Sequence, residues 1–183
     1  SYDDNRIVVL PCESEDNSVP TDIRDCDALI RHALQRWTDL DVVDPLVLDD
    51  RLQRTRVSTH DDRMRLASDV GAAYAVVARV SDSPRGSVVQ ATLHDVRSRK
   101  SLRTHDVQVG TSLNDATQQM HNLMAALLSY GSTQPDAPSP LGTSRLSAWR
   151  AMQAGWAAVG RWDLEAARDH FAIAVEEDSS YAL

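Results

Sequence analysis

The chain has 183 residues, of which 42% are hydrophobic and 25% charged, and its net charge is −8. This composition is typical of a globular protein with one or two hydrophobic cores. The acidic balance, with Lys100 as the only lysine, argues against nucleic acid as a partner, because phosphate contacts need clustered basic residues. No apolar stretch approaches the roughly 20 residues that a membrane span requires.

The first predicted element is a strand over residues 6–11, which read Arg-Ile-Val-Val-Leu-Pro. Four consecutive large apolar residues indicate a strand that is buried on both faces. A one-sided apolar stripe at helical spacing predicts a helix over residues 22–37. A short strand over 40–43 ends at Pro45, and one or two helical turns are expected within 46–56.

The middle of the chain predicts a second helix, three further strands and a third long helix. In order, these are a helix over 61–70 that Gly71 stops, strands over 73–80, 88–96 and 102–109, and a helix from Ser112 to about Ser129. Ser112 is the expected N-cap, and Asp115 is placed to complete a capping box. Together, the elements predict an α/β domain with helices on a mixed, five-stranded sheet whose last strand lies at an edge.

The chain has two cysteines: Cys12 follows the first predicted strand, and Cys26 lies in the first turns of the next predicted helix. They either stay reduced as small hydrophobes or form a disulfide in an oxidising compartment, and spacing alone leaves both open.

The order of these elements resembles the TolB-like amino-terminal domain. The residues that carry the resemblance are Arg6–Pro11, Ala28–Ile30, Leu40–Val43, Ala67–Val77, Val89–Asp95 and the turn before Leu102. The match covers residues 6–130. Cys12 stands where such domains usually have an aromatic residue, so the resemblance implies that a bridge to Cys26 replaces a lost core side chain.

The rest of the chain reads as a linker over 131–143 and a helical module over 144–183, which leaves residues 1–130 as the α/β domain. The module resembles one tetratricopeptide repeat of a truncated array, on residues Gly155, Ala158, Ala167, Phe171 and Ala174. Small residues let two antiparallel helices approach closely, and Phe171 fills the gap between them. Since one repeat cannot bury its apolar face, either further repeats are missing or this one docks on the α/β domain.

A TolB-like domain followed by such repeats resembles the carboxy-terminal regions of bacterial signalling proteins. The resemblance implies a non-catalytic sensor and protein-interaction region, outside the cytoplasm, of a membrane-anchored protein whose output domain is a serine/threonine kinase or nucleotide cyclase. The alternative is an envelope or cytoplasmic scaffold that assembles complexes through its repeats, and a small-molecule-binding enzyme is the third reading. Expected partners are a protein or peptide in the repeat groove and a small ligand in the α/β cleft, with homodimerisation also open.

The sequence contains no phosphate-binding glycine loop, kinase motif set or hydrolase nucleophile elbow, so we expect no catalytic residues, cofactor or metal in this chain. His94 and His105 are expected diagonally on one face of the closing hairpin, too few ligands for a zinc site. Trp149, Met152 and Trp156 recur at helical spacing on the first repeat helix, on the face that lines the groove of such arrays. We therefore predict that they bind a partner. The alternative is that these residues pack on the α/β domain or on a neighbouring helix.

Overall fold

The computed structural model describes residues 3–14, 26–84, 86–110, 112–129 and 143–181. The strands are β1 Asp3–Val9, β2 Glu13–Ser14, β3 Asp41–Val42, β4 Ala72–Ser83, β5 Gly86–Asp95 and β6 Lys100–Val109. The helices are α1 Cys26–Leu34, α2 Pro45–Arg54, α3 His60–Asp69, α4 Leu113–Leu128, α5 Leu146–Gly160 and α6 Leu164–Glu177. The predicted helix start near Asp22 and the predicted linker, except Thr143, lie outside the described residues.

The strands form one mixed sheet in the order β3-β1-β4-β5-β6, and β2 pairs with β4 off this path. β1 is parallel to β3 and β4, whereas β4, β5 and β6 run antiparallel to one another. The predicted α/β class, the mixed sheet and the edge position of the last strand are confirmed. Among the described residues the sheet has six strands instead of five, because Glu13 and Ser14, which lie outside every predicted strand, pair in parallel with Arg79 and Val80.

The core of the sheet is centred on the apolar run at the end of β1. Ile7, Val8, Val9 and Leu10 are at most 2% exposed, as a strand covered on both faces requires. Val8 and Leu10 belong to a cluster that includes Leu48 of α2 and residues of α3. Because side chains alternate along a strand, Ile7 and Val9 lie on the opposite face.

The helix ends follow the sequence signals, with three differences, the first of which is that α1 ends at Leu34 and not at Trp37. Thr59 and Asp62 form a full capping box at the start of α3, and Gly71 follows its end with a φ of 74°. At α4, the Ser112 hydroxyl accepts from the Asp115 amide at 3.1 Å. The Asp115 carboxylate, however, accepts from the Gly110 amide at 2.7 Å, so the predicted reciprocal bond goes to a residue earlier in the chain. α2 is also longer than predicted.

The chain divides into two compact units. The first comprises Ser1–Gln35 and Leu40–Leu127, and the second comprises Arg36–Asp39 and Leu128–Leu183. The second unit therefore contains a four-residue segment from between α1 and β3, which the sequence pattern did not predict. We call Arg36–Asp39 the inserted segment.

The inserted segment completes the second unit at the start of α5. Arg145, the N-cap residue of α5, provides no side-chain cap. Instead, the Asp39 carboxylate accepts from the amides of Leu146 and Ser147 at 2.7 and 2.8 Å. Burial raises the pKa of Asp39, but the hydrogen bonds from these two amides, from the Ser147 side chain and from the amide of Asp39 itself together outweigh burial, and the pKa lies below its ordinary value.

Candidate functional site

Helices α5 and α6 of the second unit form a closely packed antiparallel hairpin. Ala151 shares a buried cluster with Ala174, and Gly155 lies so close to Phe171 that a Cβ at position 155 would overlap the ring. In these two contact pairs the residue number rises along α5 while it falls along α6, so the two helices are antiparallel. The turn between the helices places Trp162 at a φ of 61°, and Asp163 then caps α6 by accepting from the Ala166 amide at 3.2 Å.

The three residues predicted to bind a partner do not share one accessible surface. Trp149 is 4% exposed, and its ring lies 5.3 Å from that of Trp37 in the inserted segment. Met152 is 6% exposed and belongs to the cluster with Ala151. Only Trp156 is accessible, at 60% exposure. The prediction of one open three-residue surface therefore does not agree with the structure, because the inserted segment contributes the side chain that covers Trp149.

A different apolar surface remains accessible on the same hairpin. Trp156 lies edge-on to the half-buried ring of Phe171, with centroids 5.4 Å apart. Leu164 and Val175, which are 63% and 44% exposed, lie seven residues before and four residues after Phe171. Helical periodicity places these three α6 side chains on one side of the helix. We call Trp156, Leu164, Phe171 and Val175 the hairpin patch.

The hairpin patch is suited to binding and not to chemistry. All four side chains are apolar and lack a titratable group. Trp162 at the adjoining turn is 85% exposed and adds a second accessible indole. Sequence reasoning identified Trp156 but missed Leu164 and Val175. The signal that could have found them is their spacing from Phe171 on α6.

The structure joins Cys12 and Cys26 by a disulfide, with Cα atoms 5.9 Å apart. The bridge connects the residues that follow β1 to the first residue of α1. The neighbouring Glu13 carboxylate forms ion pairs with Arg63 of α3 and with Arg79 of β4. The segment after β1 is thus held by a covalent bond, by strand pairing and by two charged contacts.

His94 and His105 lie on opposite faces of the sheet, which corrects the expectation that they share one. His105 of β6 pairs with Ala91 of β5, and His94 lies three residues after Ala91, so the alternation of side chains along β5 places His94 on the other face. The His94 ring instead approaches His60 at the start of α3, with centroids 4.9 Å apart. Burial and Arg103 lower the pKa of His105, and burial, His60 and Arg63 lower the pKa of His94.

Within the described residues, no group of three or more His, Cys, Asp or Glu side chains is arranged to hold a metal ion. Among the helices that the structure describes, none has the length and apolar character needed to cross a membrane.

Comparison with known protein families finds no match, and comparison with curated proteins finds none. Similar solved structures include the LpoB C-terminal domain from Salmonella enterica, at 17% identity and a TM-score of 0.48, covering 61% of this chain and 86% of that one. TolB from Acinetobacter baumannii is 15% identical with a TM-score of 0.45, over 69% of this chain and 28% of TolB.

Lipoprotein GNA1162 from Neisseria meningitidis is also similar, at 19% identity and a TM-score of 0.44, over 58% of this chain and 82% of that one. At these identities and TM-scores, the likenesses assign neither a family nor a function to this chain.

Proposed function

We propose that this chain is a non-catalytic protein-interaction region that assembles complexes in the bacterial envelope. The observation that carries the proposal is the hairpin patch, an accessible apolar and aromatic surface on a rigid helical hairpin. Aromatic residues are enriched among the residues that dominate binding energy at protein interfaces. A partner helix or peptide that covers Trp156 and its neighbours would remove this apolar area from water.

The helical hairpin is proposed to be a tetratricopeptide repeat. The close approach of Gly155 to Phe171 is what such a repeat needs between its two helices, and Asp163 starts the second helix after a short turn. Repeats of this kind stack on neighbours, and each buries its free face against the next. The hairpin patch is then the face open to a further repeat or to a partner protein.

The proposed compartment follows from the disulfide. Structural disulfides persist in the bacterial periplasm and outside the cell, and they are rare in the cytosol. The bridge between Cys12 and Cys26 therefore supports an envelope location. The α/β unit is proposed to be TolB-like on its order of elements and its mixed sheet.

The scaffold is favoured over a kinase sensor because the scaffold requires only surfaces that this chain presents. A sensor additionally requires a ligand that shifts an attached output domain between two states. No contact within the described residues supports such a ligand, and the sensor stays a prediction that the full gene tests.

The proposed function is tested by a photoreactive amino acid placed at Trp156 of the protein in its native cell. We expect a discrete covalent adduct after irradiation, because the side chain at this position contacts the partner. Glu176 is the matched control, since it is an exposed residue of α6 on the side away from Phe171. Equal yields at the two positions, or no adduct at Trp156, would contradict the proposal.

A second arm separates self-association from binding of another protein. Sedimentation of the purified chain, with and without Trp156→Ala, reports whether the hairpin patch joins two copies. A wild-type dimer that the substitution dissociates assigns the patch to homodimerisation. If both the wild type and the variant are monomers, the adduct formed in cells is assigned to a complex with a different protein.

A further inference from the structure

One buried histidine of the α/β unit has no polar partner. His94 near the end of β5 is 8% exposed, and its Nδ1 atom makes no hydrogen bond within the part of the chain that the structure describes. His60, the first residue of α3, is exposed and lies against its ring at 4.9 Å, with the ring planes tilted by 52°. This pair therefore forms one of the contacts between the start of α3 and the sheet.

The surroundings of His94 disfavour a positive charge. The N-terminal end of a helix carries a partial positive charge, and His60 is the first residue of α3. Arg63 lies one turn further along the same helix, close enough to lower the pKa of His94 together with His60 and burial. On the neighbouring strands, the residues opposite His94 are the uncharged Ala75 of β4 and Ser101 of β6.

The carboxylates near this site are already engaged. Asp61 forms an ion pair with Arg99 at 3.5 Å, and Glu13 forms ion pairs with Arg63 and Arg79. Asp62 accepts a hydrogen bond from the Thr59 amide at 3.0 Å and pairs with Arg65. Asp95 accepts a hydrogen bond from the Ser98 amide at 2.6 Å. None of these carboxylates contacts the His94 ring directly in the described residues. A proton on His94 would therefore be buried beside positive groups without a counter-ion.

We propose that the contact between His60 and His94 is an acid-sensitive latch, which holds the first turn of α3 on β5 near neutral pH and releases it in acid. Release exposes His94 to water, where the ring takes up a proton freely. The same movement separates Arg63 from Glu13, and Glu13 also pairs with Arg79 of β4. The segment that the disulfide anchors after β1 then loses one of its two charged contacts.

The sign of the pH dependence follows from the two states. Well above a pH of about 6.5, the ordinary histidine pKa, His94 is neutral in the closed state and in the open state, and the latch is closed. Below that pH the open state binds a proton that the closed state excludes, so opening becomes easier. The opening constant rises by up to about tenfold per pH unit until the closed state is protonated as well.

The latch is tested on the full chain by amide hydrogen exchange of α3 between pH 7.5 and 5, corrected for the intrinsic pH dependence of exchange. We expect opening of α3 to increase several-fold below pH 6.5 in the wild type, while α6 exchange stays constant. His94→Gln should remove this increase. His170→Gln, in α6, is the matched control and should behave as the wild type.

A second measurement keeps the proposal falsifiable if His94→Gln does not fold. Ring proton resonances of the wild type should show His94 titrating below its ordinary pKa, and His60→Gln should weaken the acid-induced opening of α3. The proposal is overturned by α3 exchange that does not change with pH, by an unchanged increase in His94→Gln, or by His94 titrating at or above the ordinary value. These outcomes do not depend on the hairpin patch.

Discussion

Trp149 and Trp156 lie two helical turns apart on α5, and their substitutions should have very different costs. Trp149 is 4% exposed and packs on Trp37, whereas Trp156 is 60% exposed. We predict that Trp149→Ala destabilises the second unit strongly and that Trp156→Ala does so only moderately. The comparison separates a core tryptophan from a surface one within a single helix.

The magnitudes follow from the buried areas. A buried tryptophan removes up to about 250 Å² from water, which at about 25 cal/mol per Å² corresponds to roughly 6 kcal/mol for Trp149 as an upper limit. Because unfolded chains already bury part of this area, we expect about 4 kcal/mol, within the range measured for Trp→Ala in cores. The same reasoning gives roughly 1–2 kcal/mol for Trp156, which keeps less than half of its area buried.

The assay is urea denaturation in the absence of reductant, which keeps the disulfide intact. Unfolding is followed by far-ultraviolet circular dichroism, because this signal reports helix and strand content and does not depend on tryptophan fluorescence. Trp149→Ala should lower the midpoint clearly more than Trp156→Ala. Equal losses, or a larger loss for Trp156→Ala, would refute the reasoning and would place Trp156 in the core. In that case Trp156 could not serve as the accessible anchor of the hairpin patch.

Three further predictions concern covalent, steric and electrostatic contributions. Reducing the disulfide should cost about 3 kcal/mol of stability, because it closes a loop of about 15 residues, and urea midpoints with and without reductant measure the loss. Gly155→Ala should cost about 1–3 kcal/mol by pushing the Phe171 ring aside, and thermal melting measures it. Asp39→Asn should leave neutral-pH stability within about 1 kcal/mol but flatten its dependence on acid pH. The charged Asp39 cap contributes above the unfolded pKa of about 3.9, and this contribution is lost as pH falls through the lower folded value.

The Gly155→Ala prediction has matched control variants, and each of the three predictions has an outcome that would contradict it. Gly160→Ala meets no atom within 4 Å and should be neutral or slightly stabilising, and Phe171→Leu should partly restore Gly155→Ala. A Gly155→Ala variant as stable as the wild type would mean that the helices are not in close contact. An unchanged midpoint after reduction would contradict the disulfide. Identical acid limbs for Asp39→Asn and the wild type would show that the carboxylate does not cap α5.

Much of the fold was predictable because local signals agreed with tertiary packing. The uninterrupted apolar run at Ile7–Leu10 indicated a central strand, and Gly71 and Ser112 marked helix ends at or within a residue of where they occur. The edge position of β6 followed from its polar alternation. For the two helix ends, the deciding interaction lies within a few residues of the signal that predicts it.

The candidate site was predictable only in part, because residues far away in the chain decide which side chains of α5 are buried. Helical spacing correctly placed Trp149, Met152 and Trp156 on neighbouring turns. Which of them is covered depends on Trp37, more than 100 positions earlier in the sequence, and no periodicity reports that contact. The contact between His94 and His60 was missed for the same reason, since no local pattern shows that the first residue of α3 lies against that face of β5.

The inserted segment limits how this protein can be divided. Cutting the chain within the predicted linker would release a helical hairpin whose first helix has lost the Asp39 cap and whose Trp149 has lost its aromatic neighbour. Such a fragment would expose the indole of Trp149 and would leave the amides of Leu146 and Ser147 without the Asp39 acceptor. We expect it to aggregate. A fusion protein that contains residues 143–181 alone would therefore lack part of the second unit. Residues 36–39 would have to be included as well to restore the Asp39 cap and the contact with Trp37.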